Sequence, residues 1–231
     1  MCIRDRYQTK EELKTGGLSI GYTGYGGKHH IGPEFQLGHS LGDGFEEPVL
    51  LIKTAWGGKS LNKDFRPPSA GGESGEFYQK MINEFREGLA KIENEFPYLA
   101  ELEPVLGGFV WFQGWNDMFD EAARKNYQNN LICLINDIRK EVKQIDLPVV
   151  IGELGNGGLD VNEKMLSIRM AQKGAAESLG LNAVFVSTAQ FARKAKDSPN
   201  VGHGHHWFGN AESYFLIGDA FGKEILRLNK K

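Results

Sequence analysis

Residues 108–118 read "GFVWFQGWNDM", an apolar run that stops at a polar corner. The run from Phe109 to Phe112 is continuous and rich in strand-forming residues, which predicts a strand covered on both faces, as in a parallel sheet. Residues 113–117 are polar and broken by a glycine, and a helical pattern begins after them. Ligand sites of open α/β sheets lie beyond the carboxyl ends of the strands, so this corner is predicted to border a functional site.

The rest of the chain alternates strand patterns with helix patterns. Apolar residues at helical spacing predict helices over 75–96, 118–142, 163–180 and 210–228. Short apolar runs, most of them followed by glycine-rich polar sequence, predict strands within 48–58, 107–114, 147–158 and 182–188. This alternation predicts an α/β protein with a parallel sheet and helices on both faces.

The composition is that of an ordinary globular protein. The 231 residues are 40% hydrophobic and 25% charged, with a formal net charge of −3, which fits one domain and gives no basic surface for a nucleic-acid partner. No apolar run approaches the roughly 18 residues that a membrane-spanning helix needs, so no membrane segment is expected. With two cysteines, the chain has no disulfide framework.

The first six residues, "MCIRDR", match the translation of a common sequencing adaptor in one reading frame. We therefore interpret residues 1–6 as an assembly scar and exclude them from fold reasoning. The expected domain is then residues 7–231, a single domain that is incomplete at its N-terminus. Because the true N-terminus is missing under this interpretation, the sequence does not indicate the compartment in which the protein works.

Three segments at the predicted strand ends carry candidate chemistry, and the first is "TAWGGKSL" at residues 54–61. Gly57 and Gly58 follow a strand, where their backbone N–H groups can face a ligand. A phosphate-binding P-loop needs a glycine at the position of Lys53, so that alternative fails. The alternative that these glycines only form a tight turn, without binding a ligand, stays open.

The second segment is the corner at residues 114–117, which fits the pattern Gly-x-Asn-Asp. A side-chain amide at a strand end can donate to the oxyanion of an acyl-transfer intermediate, which assigns this role to Asn116. The alternative is that Asn116 caps the following helix while Asp117 favours the helix N-terminus. The oxyanion role and the capping role are compatible with each other.

The third segment is the glycine-rich loop at residues 201–218, which carries His203, His205 and His206. A loop that faces the strand ends suits a general-base histidine, which must reach a nucleophile. A zinc site is an alternative, although neither a helical histidine pair nor a CxxC motif supports it. A structural cluster of histidines also stays open.

Five ordered blocks together resemble the SGNH-hydrolase superfamily, and within it the sialate O-acetylesterase-like carbohydrate esterases of bacteria. These blocks are "IGPEF", "PVLLIKTAWGGKSL", "DFRPPSAGG", "GFVWFQGWND" and "NAESYFLIGDAFG". The resemblance implies a three-layer α/β/α sandwich of the SGNH or flavodoxin-like kind, and hydrolysis of acetyl esters on sugars without a cofactor or a metal. It places the oxyanion hole at Gly57, Gly58, Gln113 and Asn116, and the catalytic histidine at His206.

The chain departs from this family pattern at two places. The nucleophile of the family lies in a Gly-Gln-Ser-Asn-type segment, and Ser19, Ser40 and Ser60 do not lie in that context. We therefore expect that the N-terminal strand carrying the serine is lost, that Val49 to Ile52 forms an unpaired edge, and that this fragment alone is inactive. The acid usually precedes the histidine by three residues, where this chain has His203, so either another carboxylate orients His206 or a Ser–His dyad acts.

Aromatic and basic side chains near the predicted strand ends are candidates for binding an acetylated carbohydrate. Trp56, Trp115 and Trp207 either pack on a sugar face or pack against their own surroundings. Arg66 either contacts a polar or acidic substrate or forms a structural ion pair. The alternative to an esterase is a degenerate member of the same fold that binds carbohydrate without turnover.

Overall fold

Strands and helices alternate along the chain in the computed structural model, which describes residues 1–7, 12–23 and 29–230. The strands are β1 (Cys2–Tyr7), β2 (Glu12–Gly17), β3 (Leu50–Ala55), β4 (Phe109–Trp111), β5 (Val149–Gly152) and β6 (Ala183–Val186). The helices are α1 (Pro33–Gly44), α2 (Glu76–Ala90), α3 (Ile92–Glu95), α4 (Glu121–Glu141), α5 (Glu163–Leu179) and α6 (Ala211–Asn229). Short 3₁₀ turns lie between these elements. Among the described helices, none combines the length and the apolar character that crossing a bilayer requires.

A parallel sheet with the order β4-β5-β6 contains the apolar run that begins at Phe109. Phe109 pairs with Val149 and Ile151 pairs with Phe185, and both ladders are parallel. Val149, Val150 and Ile151 in the central strand are completely buried. A strand that is covered on both faces explains why its sequence is a continuous apolar run rather than an alternating one. The predicted parallel sheet is confirmed for these strands.

A second sheet has the order β2-β1-β3 and was not predicted. β1 pairs with β2 antiparallel and with β3 parallel, with Ile3 opposite Leu51. The expectation of an unpaired edge at residues 49–52 is therefore wrong for the described chain, because the backbone groups of β3 are bonded to β1. Most of β1 consists of the residues that we interpret as a scar, an interpretation that stays a prediction. Between the described strands β3 and β4 there is no ladder.

Helices cover both faces of the strands. Residues of α2, α4 and α5 form one core cluster with Trp111, Val149 and Ile151. Residues of α1 and α6 form another with Val150 and Val186. Neighbouring residues of β5 thus point into different clusters, as the alternation of side chains along a strand requires.

Glycines let α1 and α6 approach each other closely. A Cβ atom on Gly218 would lie 2.2 Å from the carbonyl oxygen of Pro33, and one on Gly222 would lie 2.6 Å from Cβ of Ser40. Neither position has room for a side chain, which accounts for glycine at both places in the block "NAESYFLIGDAFG". The close contact holds α6 against α1, and the loop of histidines directly precedes α6.

Side-chain caps set the starts of the three long helices after β4. Asp120 accepts a hydrogen bond from the N–H of Ala123 (2.6 Å), Asn162 from Met165 (3.0 Å) and Asn210 from Ser213 (3.1 Å). The first of these caps starts α4 three residues later than the apolar pattern predicts. The helix predicted over 75–96 also differs, because it breaks at Lys91 into α2 and α3.

Candidate active site

The buried carboxylate of Asp117 joins the glycine-rich loop after β3 to the corner after β4. Its Oδ2 accepts the N–H of Leu61 (2.9 Å) and its Oδ1 accepts the N–H of Asn62 (3.0 Å). The side-chain amide of Gln113 donates to Oδ2 (2.7 Å). Asp117 itself is completely buried. Two of the three predicted segments are therefore held together by one side chain.

Burial raises the pKa of Asp117 above its usual range, and the hydrogen bonds from Gln113, Leu61 and Asn62 oppose that shift. We predicted that Asp117 favours the N-terminus of the following helix, and this prediction is wrong, because its carboxylate bonds to the loop after β3. Asp117 lies in a 3₁₀ turn of only three residues, and its carboxylate bonds to the backbone of a different segment. The sequence carries no local signal for such a contact, since the bonded residues lie 55 and 56 positions apart.

Asn116 is half-buried and its side chain does not cap the turn that follows. The capping alternative is therefore wrong, and Asp120 caps α4 instead. Among the described residues, no hydrogen bond occupies the Asn116 amide. Its N–H groups are thus available to an oxyanion, and the oxyanion role stays a prediction.

Gln113, the other amide of the predicted oxyanion hole, is occupied. Its Nε2 donates to the carbonyl oxygen of Lys59 (3.0 Å) and to Asp117, which uses both N–H groups. Its Oε1 and its carbonyl oxygen both accept from the hydroxyl of Tyr127, at 3.2 and 2.7 Å. In this arrangement Gln113 positions the corner, and Asn116 is the amide that is free to donate.

Gly57 and Gly58 lie in an exposed turn directly after β3. Gly58 has φ of +70°, a left-handed conformation that favours glycine, and an added Cβ would meet no atom within 4 Å. The open surroundings leave the backbone of this turn accessible from solvent. The geometry accommodates both the tight turn and the oxyanion role.

The loop of histidines lies against the ends of β4 and β5. The ring centroids of His203 and His205 are 5.5 Å apart, and those of His205 and His206 are 4.4 Å apart. His205 also lies 5.7 Å from the ring of Trp115. The side chain of Asn156, after β5, donates to the carbonyl oxygen of Gly204 (3.1 Å). All three predicted segments are therefore brought to one edge of the structure.

His206 is half-buried, and burial lowers its pKa to about 4, with further lowering by the nearby His205 and His203. The imidazole is consequently neutral at pH 7, the form in which a ring nitrogen can take a proton. Burial and His203 also lower the pKa of the more exposed His205. Within residues 1–7, 12–23 and 29–230, no group of three or more His, Cys, Asp or Glu side chains is arranged to hold a metal ion.

Backbone strain shapes the end of this loop. Trp207 and Phe208 both have φ of +54°, a left-handed conformation that costs a non-glycine residue about 1–2 kcal/mol. Hydrogen bonds from Phe208 N–H to the carbonyl oxygen of His203 (3.0 Å) and from Asn200 N–H to that of Phe208 (2.9 Å) hold it. The result is that Trp207 turns inward and is only 5% exposed.

The remaining substrate candidates differ in how accessible they are. Trp207 packs on Phe112 and Trp56 packs on Phe77, with centroids 6.4 and 5.4 Å apart, so packing accounts for both rings. The guanidinium of Arg66 donates to backbone carbonyls rather than to a carboxylate. Its acceptors are the backbone carbonyl oxygens of Gly71 (2.6 Å), Asn62 (3.0 Å) and Ala70 (3.4 Å), and the side-chain oxygen of Asn62 (3.4 Å). Trp115 is half-buried beside His205 and keeps its place as a candidate.

Most serine hydroxyls in the chain already donate a hydrogen bond to another group. Nine of the ten serines donate to a carboxylate or to a backbone carbonyl, and the tenth, Ser69, lies beside Asp137 of α4. Ser40 donates to Asp219 and Ser60 to Asp64, each over 3.2 Å. At the position of the expected acid, His203 bonds through Nδ1 to the side-chain amide of Asn200.

Comparison with known proteins identifies the family. A family model described as "Carbohydrate esterase, sialic acid-specific acetylesterase" matches residues 12–226. An X-ray structure of the Arabidopsis thaliana protein AT4G34215 is similar at 18% identity and a TM-score of 0.64, over 97% of this chain and 80% of that protein. XAC1771, a carbohydrate acetylesterase from Xanthomonas citri, is similar at 16% identity and a TM-score of 0.54, over 83% of this chain and 43% of that one.

No curated protein sequence matches the chain significantly. The two structures share the α/β fold in which helices pack on a parallel sheet. The family match covers the segments with Gly57 and Gly58, with Asn116 and with His206, so it includes the whole candidate site. The chain belongs to the family of sialic acid-specific carbohydrate acetylesterases.

Proposed function

We propose that the protein hydrolyses acetyl esters on sugars by acyl transfer from a serine–histidine pair, with His206 as the general base. One observation carries this proposal: three features lie at the same edge of the fold. They are the neutral, half-buried imidazole of His206, the unoccupied side-chain amide of Asn116 and the open glycine turn after β3. The family supplies the substrate class, an acetylated sugar.

In the proposed reaction, a serine hydroxyl attacks the acetyl carbonyl carbon and His206 takes the hydroxyl proton. The sugar oxygen leaves as the bond to the acetyl carbon breaks, and it receives that proton from His206. Water then attacks the acetyl-serine ester, again through His206, and acetate leaves. Both tetrahedral intermediates carry a negative oxygen, which the N–H groups of Gly57, Gly58 and Asn116 would stabilise.

The serine in this proposal is not one of the ten in the sequence. Ser40 of α1 donates to Asp219 of α6, and Ser60 donates to Asp64 in the same turn. None of the ten serines lies in a segment that resembles the family's nucleophile segment. We therefore expect the 231-residue chain to release no acetate by itself. His203 at the acid position and the low pKa of His206 favour a Ser–His dyad over a triad, because a neighbouring carboxylate would raise that pKa.

The test measures acetate release from O-acetylated N-acetylneuraminic acid. It compares the 231-residue chain with the extended protein, which is the full product of the gene. The extended protein should be active. His206→Ala should then lower kcat by about 10²–10⁴-fold, the usual contribution of a general base. His205→Ala is the matched control, because it removes a neighbouring imidazole that is more exposed, and it should cost much less.

Three results would contradict the proposal. Equal losses in the two histidine variants would remove the assignment of His206. Activity that depends on added zinc would favour the metal alternative. Binding of the acetylated sugar by the extended protein without release of acetate would favour the degenerate carbohydrate-binding member.

A further inference from the structure

A shallow cavity of about 410 Å³, open to solvent, lies where the corner after β4 meets the start of α5. Its lining consists of Met118, Phe119, Asn162, Glu163 and Lys164. The reaction proposed above uses none of these residues. Cavities of this size fall in the range that holds small ligands, and they usually combine apolar walls with a few polar groups.

The two sides of the cavity have opposite chemical character. Met118 is buried and Phe119 is 60% exposed, an unusually open position for an aromatic ring without a polar atom. Across from them lie the first residues of α5, where Glu163 and Lys164 are exposed. In the described chain, neither of these two charged side chains forms an ion pair, so both are able to bond to a ligand.

A row of aromatic rings connects the cavity to the candidate general base. Phe119 and Trp115 have centroids 5.7 Å apart in an edge-to-face arrangement, and Trp115 is 5.7 Å from His205. The ring of His205 is in turn 4.4 Å from that of His206. A molecule bound on Phe119 therefore lies on the same edge as the proposed chemistry, at the outer end of this row.

We infer that this cavity is a subsite for a sugar ring of the acetylated carbohydrate, with Phe119 as the stacking platform; the inference rests on the proposed function. A pyranose has a face of C–H groups and an edge of hydroxyl groups. The C–H face matches the negative face of the Phe119 ring. The hydroxyl edge can donate to the Glu163 carboxylate and accept from the Lys164 ammonium. An apolar peptide would leave both charges without partners.

The test uses binding rather than turnover. N-acetylneuraminic acid without an acetyl ester is titrated into the 231-residue chain, and the Trp115 indole N–H resonance and tryptophan fluorescence report the complex. Phe119→Ala should raise Kd about fivefold, the effect of losing one stacked ring. Phe119→Tyr should restore binding, because it keeps the ring. Phe215→Ala is the matched control, since Phe215 is also exposed (42%) but lies on α6 outside the cavity.

Failure of the subsite and failure of the esterase proposal give different results. Equal Kd values for Phe119→Ala and Phe215→Ala would overturn the subsite, whatever the activity of the extended protein. His206→Ala should leave Kd unchanged, because binding of the unesterified sugar needs no base. Binding that depends on Phe119, together with no release of acetate by the extended protein, would support the subsite and reject the esterase.

Discussion

Replacing Asp117 by alanine would test whether one buried carboxylate holds the two sides of the candidate site together. The carboxylate accepts the N–H of Leu61 at 2.9 Å and that of Asn62 at 3.0 Å. Leu61 is completely buried, so its N–H would be left without an acceptor and without water. Gln113 would keep its second bond, to the carbonyl oxygen of Lys59.

The expected loss follows from those two backbone donors. A hydrogen bond to a charged group contributes about 1.5–3 kcal/mol, and a buried donor without an acceptor costs about 1–3 kcal/mol. The substitution also removes the cost of burying a charge, which offsets part of the loss. We therefore expect the free energy of unfolding to fall by about 3 kcal/mol.

Urea unfolding at pH 7 measures this loss, with Asp120→Ala as the matched control. The Asp120 carboxylate caps α4 through the N–H of Ala123 (2.6 Å), and losing such a cap costs about 1 kcal/mol. Asp117→Asn keeps one acceptor oxygen and should fall between the two alanine variants. If Asp117→Ala is no less stable than Asp120→Ala, the carboxylate does not hold the loop.

In the active protein, Asn116→Ala should lower kcat about 10²-fold with little change in the free energy of unfolding, because no described residue bonds to its amide. A large stability loss with normal turnover per folded molecule would reject the oxyanion role. Stability should fall by about 2 kcal/mol, after allowance for solvent screening, as the pH drops from 6.5 to 4. The reason is that the unfolded chain protonates His206 near pH 6.5, whereas the folded protein does so only at about 4. His206→Gln should reduce the change in the free energy of unfolding between pH 6.5 and 4, measured by urea unfolding. An unchanged slope in this variant would contradict the lowered pKa of His206. For the same reason, kcat/KM should not decline near pH 6.5; a decline there would show that the base has an ordinary pKa.

The parts of the fold that depend on apolar periodicity were predictable from the sequence. The strands after residue 100 and the helices α4 and α5 lie within the predicted ranges, and α6 ends one residue beyond its range, because their apolar residues repeat at the spacing of a buried strand or an amphipathic helix. β2 was missed because "ELKTGG" has no apolar alternation. β1 was missed because its residues were interpreted as a scar.

The candidate site was predictable in its location but not in its contacts. Glycine and polar residues after each strand indicated the edge where the segments meet. The bonds of Asp117 and Gln113 join residues more than 50 positions apart, and no local pattern encodes them. The inward turn of Trp207 depends on two left-handed residues that are not glycine, which sequence patterns do not indicate.

The separation of the two sheets has a consequence for how the reaction rate can be tuned. Gly57 and Gly58 follow a strand of one sheet, and Asn116 follows a strand of the other. Within a single ladder, backbone bonds would fix neighbouring strands at about 4.8 Å. Here the side-chain bonds of Asp117 and Gln113, rather than a backbone ladder, set the spacing of the proposed oxyanion donors, and a misplacement of about 1 Å can cost about 10²-fold in rate. Substitutions along this seam are therefore expected to change the reaction rate even where the substituted residue does not touch the substrate.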